Sequence, residues 1–124
     1  EHIMAKGEGL PIVQQGCKIT DTIIEMSKKG LGTVAVVNSR KQLVGLVTDG
    51  DLRRAIERKV DIYNDIVDSV MTENPKYINK EVLLVDALTK LKENRFNNYP
   101  VVDREKHVIG MLTWQMIIRE GIAL

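Results

Sequence analysis

Thr33-Val34-Ala35-Val36-Val37 and Leu43-Val44-Gly45-Leu46-Val47-Thr48-Asp49-Gly50-Asp51-Leu52 are the stretches that decide the fold. The first is an apolar, β-branched run that reads as a strand. Asn38-Ser39-Arg40-Lys41 turns the chain, the second run returns, and a helix opens at about Asp49, reaching Arg58. The same order recurs downstream. A shift of 65 positions, the interval from Asp21 to Asp86, lays Val36-Val37 on Val101-Val102 and Lys41 on Lys106. It also lays Gly45 on Gly110, Thr48 on Thr113 and Arg54 on Arg119, without a gap. Ile23 and Met26 fall on Leu88 and Leu91, and Leu43-Val44 on Val108-Ile109. A tandem unit of this size is one supersecondary motif used twice.

Outward from this stretch, Leu10-Pro11-Ile12-Val13 reads as a short extended lead-in, since Pro11 holds Leu10 out of the helical region. Thr20-Asp21 offers an N-cap for a helix carrying Ile23, Ile24 and Met26. Lys28-Lys29-Gly30 suits its C-terminus, where cations meet the helix dipole and glycine accepts a left-handed turn. Gly45, without a side chain, allows a bulge or close approach within the returning strand. The second half predicts a strand near Tyr77-Ile78 and a helix over about 84–94. A hairpin of Tyr99–Val102 with Val108–Thr113 follows, then a helix to about Glu120. The repeats are assigned to 1–66 and 67–124, joined by a linker at 65–74, each β-α-β-β-α in an α/β (α+β) fold. Val70-Met71 before repeat two matches Ile3-Met4 before repeat one, so Glu1-His2-Ile3-Met4 is read as a native lead-in. The chain then begins at a repeat boundary, as a fragment of a longer protein would.

Composition excludes several classes. With 18 basic and 17 acidic residues the net charge is +1, which gives no field for nucleic acid. One Trp and one Phe leave little aromatic surface for stacking bases. No apolar run approaches the roughly 18 residues of a membrane span, and no secretory leader opens the chain. Cys17 stands alone, which rules out an internal disulfide and fits a cytoplasmic setting. It aligns with Val82 and is expected as a small buried hydrophobe.

A pair of βαββα units, each with a Gly-apolar-apolar-Thr strand end leading into a helix, resembles the tandem cystathionine-β-synthase (CBS) pair. The segment 45–52 carries the family's ligand motif, and Val70-Met71-Thr72 with Pro75 its usual connector. Thr48 to Arg54, with Arg119-Glu120-Gly121-Ile122, is also similar to the C-terminal half of bacterial arabinose 5-phosphate isomerases, whose N-terminal sugar isomerase domain is absent here. The resemblance implies two repeats packed as a pseudo-two-fold pair, association as a homodimer, and a regulatory role in Kdo (lipopolysaccharide) synthesis. Capsule and hexitol pathways stay open.

The same resemblance implies that Asp51 holds ribose hydroxyls and Thr48 contacts ribose or phosphate. A carboxylate accepts two bonds from a cis-diol, and the helix start beside Asp49 favours phosphate. Thr48-x-x-Asp51 equally satisfies the capping box, which closes a helix start with no ligand at all. Arg53 and Arg54 oppose the helix dipole by a few tenths of a kcal/mol, so they fit an anion there or a solvated exposed pair. Gly45, Pro11, Ile12, Thr33 and Val34 complete the implied cleft. Thr113 and Tyr99 belong to its counterpart in repeat two, where Tyr99 also reads as a core-rim residue. There Met116 replaces the acid and cannot accept a diol, so at most one nucleotide site is expected. The implied ligands are CMP-Kdo, AMP or ATP, with no required cofactor. Asp49, Asp51 and Glu57 lack any His or Cys at ligand spacing, and His2 and His107 read as isolated turn or terminal residues. No nucleophile–base arrangement appears, so these residues are not expected to catalyse. Two rivals remain: a ligand-free dimerisation scaffold, and an adenylate-sensing pair from another host.

Overall fold

The computed structural model describes residues 4–5, 9–82, 85, 89 and 98–113. Of the helix expected over 84–94 only Val85 and Thr89 are described, both helical, and the helix ending near Glu120 lies outside the described residues, as does Met116. The chain divides into two compact units, residues 11–75 and residues 1–10 with 76–124. Each contains a four-stranded mixed sheet.

In the unit of residues 11–75, β2 (Ile12–Gln14) runs parallel to β3 (Thr33–Val37), and β3 pairs antiparallel with β4 (Leu43–Thr48). Helix α1 (Ile19–Lys29) links β2 to β3, and α2 (Asp49–Glu57) follows β4 directly. β5 (Thr72–Glu73) closes the sheet on the far side of β4. All five residues of β3 are buried, as a central strand covered on both faces requires. β4 alternates instead, burying Leu43, Gly45 and Val47. Ile19 and Met26 of α1, Ala55 of α2, and Val67 and Val70 pack with Val34, Val36 and Val47 as one core. Fully burying each large aliphatic contributes about 1.5–3 kcal/mol.

Helix α1 starts two residues earlier than Thr20-Asp21 predicts. Its N-cap is Lys18, with no side-chain cap. Burial of Ile19, whose N–H donates to the Asp65 carbonyl at 3.1 Å, sets the start in place of capping chemistry. The C-terminus follows expectation, with Gly30 at φ 73° donating to the Met26 carbonyl at 2.9 Å. Cys17 is half-buried rather than enclosed, its Sγ 3.4 Å from Thr22 Oγ1.

The other unit holds β6 (Ile78–Asn79), β7 (Tyr99–Val102) and β8 (Val108–Leu112), with β1 (Met4–Ala5) at the edge. Its register reproduces the first sheet. Val13 pairs with Val36 and Ile78 with Val101, while Val36 faces Gly45 and Val101 faces Gly110. Both hairpins shift register at the next pair, so Val44 and Ile109 are the extra bulge residues. The edge strands are exchanged relative to sequence order. β5, the lead-in to repeat two, completes the sheet of repeat one, and β1, the lead-in to repeat one, pairs with β8.

Candidate functional site

Parallel pairing of β2 with β3 and antiparallel pairing of β3 with β4 bring the starts of β2 and β3 and the end of β4 to one sheet end. Pro11, Ile12, Thr33, Val34 and Thr48 gather there, with Thr33 directly opposite Thr48. Ala35 N–H donates to the Pro11 carbonyl at 3.0 Å, and Asp49 N–H to the Gly32 carbonyl at 3.2 Å. Ile12 N–H reaches Glu25 Oε2 at 3.4 Å, a carboxylate also bonded to Lys29 at 2.8 Å. Thr33 Oγ1 is enclosed and has no hydrogen-bond partner among the described residues. A buried hydroxyl left so costs about 1–3 kcal/mol.

At the α2 start the capping box is complete. Asp51 N–H donates to Thr48 Oγ1 at 3.2 Å, and Thr48 N–H to Asp51 Oδ2 at 2.9 Å. The second carboxylate oxygen is engaged too: Arg54 Nη2 donates to Asp51 Oδ1 at 2.7 Å. The Arg54 side chain is 63% exposed against 11% for Asp51, so the pair adds little stability. Both oxygens that a ribose diol would use therefore have protein partners. A carboxylate oxygen carries two lone pairs, so Oδ1 can accept a further donor if Arg54 shares or withdraws.

Beside this junction lies a cleft of about 480 Å³, lined by Asp51, Arg54, Glu57 and Arg58 of α2 and by Val70, Met71 and Thr72. That volume is within the range of small-ligand sites, about 300–1,000 Å³. Gly45 does not sit at the sheet end. It lies three residues up β4, where an added Cβ would collide with the Met71 side chain, so its bareness seats one cleft wall. Arg53 is exposed and takes no part in the cleft lining, which separates it from Arg54. Asp49 is exposed. Tyr99 and Thr113 belong to the other unit and are buried there, at 4% and 3% exposure.

Sequence reasoning missed one cluster. His107 is not isolated: its Nδ1 lies 3.0 Å from Asp103 Oδ2 and 3.7 Å from Glu105 Oε1. The i, i+2, i+4 spacing on a turn was the available signal, obscured by Arg104 and Lys106 between the three.

The CBS domain family matches residues 1–58 and 67–122, and the chain belongs to that family as a tandem CBS pair. Among curated proteins it is similar to the arabinose 5-phosphate isomerase KdsD of Pseudomonas aeruginosa, 38% identical over 98% of this chain and 37% of that protein. KdsD of Francisella tularensis is 37% identical over 96% of this chain and 36% of that protein. The chain thus spans little more than a third of these relatives. Among solved structures, the CBS-pair protein CBSX2 of Arabidopsis thaliana matches with a TM-score of 0.78 at 25% identity, covering 97% of this chain and 91% of that one. CBSX2 has also been solved in complex with AMP, where the TM-score is 0.78 at 24% identity, over 97% and 93% of the two chains. A CBS pair is a regulatory module rather than a catalytic one. Among the described residues no helix is long and apolar enough to cross a membrane.

Proposed function

We propose that this CBS pair is the regulatory half of a D-arabinose 5-phosphate isomerase, binding one nucleotide or nucleotide-sugar and modulating the attached sugar isomerase domain in the cytoplasm. The observation that carries the ligand reading is the juxtaposition of Asp51, Thr48 and the α2 N-terminus with a cleft holding Arg54 and Arg58. Ribose hydroxyls donate to Asp51 Oδ1, Arg54 turns from that oxygen to the phosphate, and the helix start adds its dipole. The enclosed Thr33 hydroxyl at the same sheet end is a further polar group lacking a protein partner among the described residues. CMP-Kdo, AMP and ATP all offer the ribose and the anion. Ile24 of α1 and Ile56 of α2, 64% and 63% exposed, support a homodimer contact through helices.

The complete capping box favours a second reading, a ligand-free dimerisation scaffold in which Asp51 serves only the helix. Thermal melts with AMP, ATP, CMP and CMP-Kdo separate the two. Ligand at about 100 times its dissociation constant adds roughly 2.7 kcal/mol and raises Tm. Asp51→Ala is expected to abolish that shift while lowering apo stability by only about 1 kcal/mol, the cost of a lost cap. No shift with any compound establishes the scaffold, and an adenylate-only shift points to a different host protein.

A further inference from the structure

The two hairpin turns of the chain are built alike and differ in chemistry. In the first, Asn38 Oδ1 accepts from the N–H groups of Arg40 and Gln42, at 2.9 and 3.0 Å. In the second, Asp103 Oδ1 accepts from those of Glu105 and His107, at 3.0 and 2.9 Å. Lys41 and Lys106 hold the same left-handed position, at φ 64° and 71°. Across the turn, Asn38 Nδ2 donates to Gln42 Oε1 at 3.2 Å, where the second turn sets Asp103 Oδ2 3.0 Å from His107 Nδ1. A neutral amide pair therefore suffices to close this turn. The acid, the imidazole and the carboxylate at Glu105 (Arg40 in the first turn) are not needed for the backbone.

From this excess we propose that Asp103, Glu105 and His107 form a solvent-facing site for a borderline divalent transition metal of the zinc class. Their ligand atoms all lie within 4.8 Å of one another. The separations of 3.0 and 3.7 Å from His107 Nδ1 bracket the edge of about 3.3 Å that a tetrahedral zinc with 2.0–2.1 Å bonds requires. Imidazole with two carboxylates selects zinc, nickel or cobalt over magnesium and calcium, which take oxygen donors. Asp103 is pre-oriented, because two backbone N–H bonds fix Oδ1 and leave Oδ2 to face the imidazole.

The intervening cations are drawn elsewhere. Arg104 Nε bonds Glu81 Oε2 at 2.7 Å, and Lys106 Nζ lies 5.6 Å above the Tyr77 ring. Side-chain exposures of 25%, 74% and 39% leave the remaining coordination positions to water.

The test is titration of the 124-residue chain with Zn²⁺ alone, by calorimetry and by amide NMR. Saturable binding of one equivalent is expected, with shifts centred on residues 103–107. Asp103→Asn with His107→Gln installs the first turn's own pair, so the hairpin stays folded and affinity falls at least tenfold. Glu105→Gln leaves both turn-closing residues in place and weakens binding several-fold. Asn38→Asp, Arg40→Glu and Gln42→His together install the same three ligands in the first turn and add a second equivalent. Absence of saturation, shifts centred elsewhere, or unchanged affinity when Asp103→Asn and His107→Gln are combined overturns the proposal.

Discussion

The β3–β4 and β7–β8 hairpins share a pairing register, a bulge after the same residue and a left-handed lysine in the turn. They diverge where side chains meet solvent: Asn38 and Gln42 in one, Asp103 and His107 in the other. Buried β-branched positions determine the backbone, so both copies must retain them to form the sheet. Polar positions on that backbone are free to take up different chemistry. The difference shows that duplicated architecture does not imply duplicated sites.

The comparison breaks most readily in the core. Val36 and Val101 are both fully buried at matching register positions. Val36→Ala and Val101→Ala are each expected to cost about 2–3 kcal/mol, from two lost methyls and a cavity. Urea unfolding measures both, and a difference above about 1 kcal/mol ends the claim of equivalent cores. A smaller effect is expected at Gly45. Gly45→Val forces Met71 aside at a cost of about 1–3 kcal/mol. Met71→Ala in the same chain recovers part of that loss, and the double-mutant cycle reads the coupling.

The smallest effect is acidic. Asp61 closes a turn much as Asn38 does, accepting from the Asn64 side chain and from the N–H groups of Tyr63 and Asn64. The Asn64 side-chain bond is the largest contribution lowering its pKa. A lowered carboxylate pKa stabilises the fold above the unfolded-state value of about 3.9 and loses that contribution as pH falls through the folded value. Amide shifts of Tyr63 and Asn64 are therefore expected to move below about pH 4. Those of Arg40 and Gln42, bonded to the non-titrating Asn38, stay flat.

Much of this was legible in the sequence, for physical reasons. The β-branched runs and the 65-residue offset gave both hairpins, and Gly45 marked the bulge and the close approach. Thr48-x-x-Asp51 gave the capping box, since its chemistry is local. The start of α1 was not legible, because burial of Ile19 fixes it and no capping side chain announces it. β1 and β5, two residues each, are too short to show alternation. Arg54 over Asp51 was hidden as well, because adjacent arginines give no sign of which one turns back along the helix. His107 escaped notice because partnership on a turn depends on where the flanking cations go.

The exchanged edge strands carry a consequence for how this molecule can be cut and made. A gene split at the repeat boundary would yield two polypeptides, each missing the outer rung of its own ladder and carrying the rung that belongs to its sibling. On the ribosome, Met4-Ala5 emerges before the rest of the pair yet finds its partner only after Met111-Leu112 has left the exit tunnel. That short strand thus waits for both hairpins to be made before its ladder can close.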